Sequence, residues 1–463
     1  MSLVTRRLRS ASALAGPLLF VARPRGARLG EIVRLEVQGA PARRGQVIDL
    51  AEARAVVQVL DETHGLAPRR AEVVLTGEVA SLGVARAMLG RAFDGAGRPV
   101  DGLPPPVPEA RLPVAGAPMN ALRRAKPSEP IETGVSAIDG MNTLVRGQKL
   151  PIFSCAGLPA GRLAAQLVRQ ARVRGGEPFC VVFAAVGAPW REREAYLASF
   201  AASGALERTV VFLNGADDPP VERLLTPRCA LTAAEHLAFA HGLHVLVVMT
   251  DMSAYCDALR EVALAREEMP GRRGYPGYMY TDLASIYERA GRIAGRPGSV
   301  TQLPVLTMPD DDLTHPIPDL TGYITEGQIV LSRDLDRRGV YPPIDVLPSL
   351  ARLMGHGIGE GRTRADHRGL SDQLYASYAR GVDVRRMASI VGAANLSDDE
   401  RRHLELAERF EAELVGQGET FRTFEETLDL GWKLLAPFPP ASLTRARPED
   451  VARHHGQEAS HGA

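Results

Sequence analysis

Between residues 150 and 269, short apolar runs and helix-period segments alternate, and this alternation restricts the fold more tightly than any other property of the chain. The spacing predicts strands over 150–154, 179–184, 209–213 and 243–249, with helices over 162–174, 191–200 and 230–240 between them. A further helix over 252–269 puts Met252, Tyr255, Leu259 and Val262 on one face and stops at Pro270-Gly271. Strands and helices taking turns at this spacing build a mostly parallel sheet with helices on both faces. The flanks read differently. Residues 18–21, 32–37, 45–49, 55–59 and 72–75 are short β-branched-rich runs between Gly, Pro and charged turns, as in a small closed barrel of five or six strands. Residues 90–130, with prolines at 104–106, 108, 113 and 118, read as a long ordered loop. Beyond 356 the helix-period segments 370–379, 398–414 and 423–435 dominate. The expected architecture is multidomain α+β: a small β-barrel over 1–75, an α/β domain over 76–355 and a helical bundle over 356–463.

Composition removes several function classes. Lys+Arg and Asp+Glu both number 55, so the chain lacks the basic excess that holding nucleic acid requires. Phe20 is the only aromatic residue in 1–75, which leaves no stacking platform for RNA there. The longest strongly apolar run, 243–249, is far short of the ~20 residues of a membrane-spanning helix. Arg6, Arg7 and Arg9 followed by the Ala-rich 11–22 resemble a signal segment, but Gly16-Pro17 interrupts it and 18–21 reads as a strand of a cytosolic protein. Cys155, Cys180, Cys229 and Cys256 contain no Cys-x-x-Cys pair and are expected to be reduced thiols. His236, His241 and His244 straddle a helix end and a strand start, so no shared ligand face, and no metal site, is predicted.

The decisive stretch is the turn after the strand 150–154. In an α/β core of this kind that turn binds phosphate: backbone N–H groups at a helix N-terminus face the anion, a lysine reaches the β/γ-phosphates and a Ser/Thr hydroxyl holds magnesium. Here it reads Ser154-Cys155-Ala156-Gly157-Leu158-Pro159-Ala160-Gly161-Arg162-Leu163, with glycine but neither lysine nor the hydroxyl. Lys126, Lys149 and Lys433 are the only lysines, and none precedes Ser or Thr, so no complete phosphate loop exists. Arg162 offers charge with a different reach and a planar fork. Gly157, Gly161 and Arg162 are therefore assigned a weak or absent contribution to nucleotide binding.

Three long motifs run through the chain: TGVSAIDGMNTLVRGQKLPIF at 133–153, PGRRGYPGYMYTDL at 270–283 and MPDDDLTHPIPDLTGYITEGQ at 308–328. In this order they resemble the B-subunit (beta-chain) family of the V/A-type ATP synthases, over roughly residues 16–440. The resemblance implies a barrel, a core like that of phosphate-loop NTPases with a degenerate loop, and a helical domain. It implies a non-catalytic, regulatory subunit of an H+- or Na+-translocating ATP synthase, alternating with catalytic A subunits in a hexameric ring about a central stalk. It implies no tightly bound cofactor of its own, with ATP or ADP at the interface with the catalytic subunit. Where the family has a Gly-Ser-Gly-Leu-Pro turn this chain has Cys155-Ala156-Gly157-Leu158-Pro159. Where catalytic relatives have Gly-Glu-Arg it has Gly187-Ala188-Pro189, with Glu192 and Glu194 expected on a solvated helix face.

The family's trans-acting arginine lies in a Leu-Pro-Ser-Leu-Ser-Arg-Leu-Met segment, here Leu347-Pro348-Ser349-Leu350-Ala351-Arg352-Leu353-Met354. The resemblance thus assigns Arg352 as the finger toward the A-subunit site. It also turns the loop of Asp310, Asp311 and Asp312 toward the central stalk, with a peripheral stalk as a further partner. The expected location is cytoplasmic, peripheral on the membrane within the soluble sector. Two rivals fare worse on the same residues. A self-sufficient ring ATPase, catalytic or export type, needs the missing lysine and carboxylate, and a termination-factor-like RNA translocase needs its own phosphate loop.

Overall fold

A computed structural model describes residues 6–37 and 39–458. The first seven strands are β1 (Arg6–Leu8), β2 (Ala11–Ala15), β3 (Leu18–Ala22), β4 (Glu31–Val37), β5 (Arg43–Leu50), β6 (Arg54–Val59) and β7 (Ala71–Val79). They form one antiparallel sheet in the order β1-β7-β4-β5-β6-β3-β2. Laid flat, its edges would stand about 29 Å apart at the usual strand spacing. Only Arg9 and Ser10 separate β1 from β2, so the sheet curls round on itself as a barrel. Alternation sets its inside: Val33 and Leu35 are buried with Arg34 exposed between them, and Leu19, Val21, Val47, Val57, Val59 and Val73 complete the core. The sheet has seven strands where five or six were expected. The basic β1 carries little apolar signal and is held by charge, Arg7 reaching Glu36 and Glu72 at 2.8 and 2.9 Å.

The proline-rich stretch after the barrel is not the featureless loop its composition suggests. It contains β9 (Ala92–Asp94) and β10 (Ala110–Pro113), and β8 (Ser81–Val84) lies just before it. β8 and β10 pair antiparallel, and β9 adds a parallel edge beside the strand Thr209–Gly215. Tertiary pairing, invisible locally, overrides turn-rich composition here.

The central sheet adds β11 (Ile152–Cys155), β12 (Phe179–Ala188), β13 (Thr209–Gly215), β14 (His244–Thr250), β15 (Ser299–Met308), β16 (Gly327–Leu331) and β17 (Ile344–Ala351). Their order is β17-β16-β11-β15-β14-β12-β13-β9, parallel except for β17. Being covered on both faces, β12, β13 and β14 read as continuous apolar runs, yet alternate residues serve different cores. Val181, Phe183 and Ala185 join one cluster with the helices Ala160–Gln170 and Trp190–Ala202 and with the C-terminal helices. Cys180, Val182 and Ala184 join the opposite cluster under the helices Pro220–Phe239 and Met252–Ala265. The helix Pro220–Phe239 starts ten residues earlier than expected, because Pro220 is accommodated at its first turn and Pro227 within it.

The C-terminal helices are His367–Val391, Asp398–Arg409 (continued by a π-helical segment over Phe410–Val415), Phe424–Leu435 and Pro448–Glu458. Capping boxes at Ser397/Glu400 and Thr423/Glu426 start two of them, each cap contributing about 1 kcal/mol. The 133–140 motif is their seat. Gln417 accepts from Ser136 N at 2.6 Å and donates to Gly134 O at 2.7 Å, while His367 Nε2 and Ser371 Oγ both reach Gly140 O. Gly134 has φ +76°, and a Cβ there would meet the Phe421 ring at 2.3 Å, so glycine is required at this junction. No helix among the described residues is long and apolar enough to cross a membrane.

Candidate functional site

Strand β11 leads into a turn over residues 156–159 and then the helix Ala160–Gln170. A phosphate cradle needs successive backbone N–H groups aimed at one point. Here Leu158 N–H donates to Cys155 O at 3.1 Å, Pro159 has none to give, and Ala160 N–H donates to Leu158 O at 2.8 Å. Three of the turn's successive positions are thus closed to an anion. Gly157 keeps the left-handed φ of +82° in open space, but Gly161 lies under Tyr196, whose Oη would stand 2.4 Å from a Cβ.

Arg162 is already engaged. Its Nε donates to Glu419 Oε1 at 2.6 Å and its guanidinium stacks 3.9 Å from the Tyr341 ring centroid. Arg169 takes the other oxygen, Nη2 to Oε2 at 2.6 Å. A carboxylate from the helical domain therefore occupies the charge that would meet a phosphate. Arg162 and Glu419 are half exposed, so each contact contributes at most about 1 kcal/mol. The arrangement competes with an anion more through geometry than strength.

The remaining NTP-hydrolysing groups are absent or committed elsewhere. Gly187 N–H donates to Asn214 Oδ1 at 3.0 Å, and no carboxylate follows it in the turn; Glu192 and Glu194 are exposed on the helix Trp190–Ala202. Lys149 lies before β11, buried between Glu288 (2.7 Å) and Glu326 (3.0 Å), at the wrong end of the strand. One relevant residue escaped the sequence reading. Asp251 directly follows the apolar β14 and caps the helix Met252–Ala265, the kind of strand-end aspartate that holds magnesium in phosphate-loop NTPases. An aspartate closing a buried apolar run was the available signal. Here its oxygens are taken by Ser253 N (2.7 Å) and Thr307 Oγ1 (2.5 Å), and burial, opposed by these bonds, raises its pKa.

The acidic triplet follows β15 at the same end of the sheet. Its carboxylates diverge: Asp311 forms a two-point pair with Arg333 at 2.9 and 3.0 Å, and Asp312 meets Arg273 at 2.8 Å and accepts from Thr314. The Thr314 hydroxyl bond, with its backbone N–H and Arg273, holds Asp312 at about 2. Asp310 is exposed, with no ion pair among the described residues. Beside them Cys155 is buried and pushed up to about 11 by that burial and by Asp311, an unreactive thiol.

Arg352 is at the other end of the sheet. Strand β17 runs antiparallel to its neighbour, so Ala351 pairs with Gly327 at the start of β16 while Cys155 lies beyond the level of Val330. Five residues of strand, about 17 Å, separate the two levels. Arg352 therefore cannot serve the turn of its own chain. Its backbone N–H is fixed to Glu326 O at 2.9 Å, while its exposed guanidinium pairs with no carboxylate among the described residues. It opens onto a cleft of about 450 Å³ lined also by Asn142, Arg368, Asp372 and the exposed Leu350 and Tyr375.

The histidines resolve differently from expectation. His244 goes to Ser299 and Glu177, but the turn after the helix Pro220–Phe239 folds His241 back beside His236, and both reach Glu109. A helix end between two ligands separates their faces only where the chain runs straight on, and the reversal of the chain here brings two of them together.

Comparison with known proteins adds the family. Residues 12–77 match the beta-barrel domain of the ATP synthase alpha/beta family, 134–351 its nucleotide-binding domain, and 356–455 the C-terminal domain of V and A type ATP synthase. The V-type ATP synthase beta chain of Anaeromyxobacter sp. (strain K) is 72% identical, over 100% of this chain and 98% of its own. The chain belongs to the V-type ATP synthase beta-chain family. The beta chain of Thermus thermophilus is 54% identical over 99% of this chain and 98% of its own. A solved ATP synthase subunit, NeqB from Nanoarcheaum equitans, superposes with a TM-score of 0.73 at 39% identity, covering 91% of this chain and 99% of that one. Barrel, nucleotide-binding-type core and helical domain are thus the beta-chain architecture, and ATP synthesis with ion transport is the family's business.

Proposed function

We propose that this beta chain is the non-catalytic, regulatory ring subunit of an H+- or Na+-translocating V/A-type ATP synthase. It alternates with catalytic A subunits in a hexamer and lends Arg352 to the neighbouring nucleotide site. The observation that carries the reading is the phosphate turn: without lysine or hydroxyl, with three closed backbone positions, and with Arg162 and Arg169 clamped on Glu419. Such a turn cannot polarise a γ-phosphate or hold its magnesium. ATP or ADP then sits at the interface with the A subunit, where an exposed arginine on a fixed backbone supplies the planar charge a transition state needs. The divergent acidic loop, with Asp310 unpaired among the described residues, is the contact offered to the central stalk. The subunit is peripheral on the membrane, reached through stalk partners. Phosphate-release assays and calorimetry on the purified chain alone test the non-catalytic reading. No hydrolysis and no sub-micromolar Mg-ATP site are expected; magnesium-dependent turnover comparable with ring ATPases would overturn it.

A further inference from the structure

Outside the nucleotide-type site, the described residues contain a group of three side chains whose donor atoms converge. Glu109 Oε2 lies 3.0 Å from His236 Nε2 and 2.7 Å from His241 Nε2, and the three ligand atoms all fall within 4.8 Å of one another. They come from two parts of the chain: Glu109 directly precedes β10, while His236 and His241 bracket the end of the helix Pro220–Phe239. Glu109 is oriented rather than loose. Its Oε1 accepts from Arg86 N–H at 2.9 Å and its own N–H donates to Val84 O at 2.9 Å, which turns Oε2 toward the imidazoles. The two rings stand edge to face, centroids 5.0 Å apart, so their nitrogens approach the carboxylate from different directions, as separate ligands on one centre would.

We propose that Glu109, His236 and His241 form a binding site for one divalent transition-metal ion of the zinc class, pinning the segment before β10 to the end of the helix Pro220–Phe239. Two imidazole nitrogens and one carboxylate are the donor set such ions prefer over magnesium or calcium. In a tetrahedral site with bonds of about 2.0–2.1 Å the donors stand about 3.3 Å apart, so the two O···N separations need to open by about half an ångström and the two imidazole nitrogens, within 4.8 Å of each other, to close by at most about 1.5 Å through side-chain rotation. His236 is buried, His241 half-buried and Glu109 exposed, which leaves the outer coordination position to water. The Arg86 N–H bond to the far carboxylate oxygen is the outer-shell support that ligating carboxylates use. Entry of the ion requires both imidazoles neutral with Nε2 unprotonated, so each Nε2 proton is released or relocated to Nδ1.

The test uses the full chain, stripped with a chelator, and Co2+ and Zn2+ as probes. Expected are one ion per chain by calorimetry, the visible absorption of a four-coordinate cobalt(II) centre, and a rise in unfolding temperature with Zn2+. His236→Gln, His241→Ala and Glu109→Gln should each weaken Zn2+ binding by at least about 10–100-fold. Their far-ultraviolet circular dichroism, compared with the parent chain's, separates loss of a ligand from loss of fold. No stoichiometric binding would show the cluster to be a plain imidazole–carboxylate contact and overturn the proposal. So would binding that survives all three substitutions in folded protein.

Discussion

His367 ties the first long C-terminal helix to the core, and its bonds fix its protonation. Gly140 O can only accept, so Nε2 carries the proton of the neutral ring and donates to it at 3.1 Å, which leaves Nδ1 to accept from the Thr363 hydroxyl at 3.0 Å, whose oxygen also accepts from Gly359 N–H at 3.0 Å. The neutral ring is satisfied at both nitrogens; an added proton on Nδ1 would force the Thr363 hydroxyl to turn its own proton away. Burial pushes His367 down to about 4, outweighing the opposing pull of the Gly140 carbonyl. Against an unfolded value near 6.5, the unfolded chain binds a proton in the window from 6.5 to 4 that the folded chain refuses. The stabilisation is therefore complete above pH 6.5 and lost as pH falls toward 4. Between pH 7.5 and 5.0 the loss is about 2 kcal/mol, and about 3 kcal/mol once the pH is below both values. His244, His315 and His454 are also lowered, chiefly by burial, and Asp139, pushed up to about 7 by burial, works in the opposite sense. The wild-type slope alone is thus a sum. His367→Gln keeps a donor for Gly140 O and removes the titration, so chemical unfolding of both proteins at the two pH values isolates the residue. The wild type should lose about 2 kcal/mol more than the variant on acidification. An equal loss in both would refute the assignment of a buried neutral imidazole.

Two further outcomes follow from packing. Glu411 is buried and accepts from Arg338 (2.6 Å), Arg385 (2.9 Å twice) and Tyr378 Oη (3.0 Å). Glu411→Ala should cost about 2–3 kcal/mol by denaturant titration, below the range for fully buried pairs because both arginines still reach water; an unchanged midpoint would contradict that network. Gly161→Ala gains up to ~1 kcal/mol of helix propensity but drives a methyl into Tyr196, which is locked against Phe183 and Phe200. Its unfolding temperature should fall; a rise would mean that the Tyr196 hydroxyl does not cover the turn.

What the sequence made legible was what periodicity and turn chemistry control. Strands β12, β13 and β14 were readable because both faces are buried and the runs are uninterrupted. β15 and β17 were not, since Pro304 and Pro348 lie inside them and only pairing with neighbours supplies their hydrogen bonds. The absent lysine was visible in the linear text. The clamp on Arg162 was not, because Glu419 and Tyr341 are far away in sequence and nothing local announces the contact. Likewise the histidine pair on Glu109 depends on a chain reversal whose direction periodicity does not encode.

The most direct test of the central claim is hydrolysis by a ring assembled from the catalytic partner and Arg352→Ala chains, with unfolding temperature measured alongside. Arg352 is exposed, and its guanidinium makes no ion pair among the described residues, so folding and assembly should be unchanged. Turnover should fall by about 10³–10⁵, with little rescue by Arg352→Lys, whose point charge lacks the planar fork. Normal turnover in a correctly assembled Arg352→Ala ring would contradict the account.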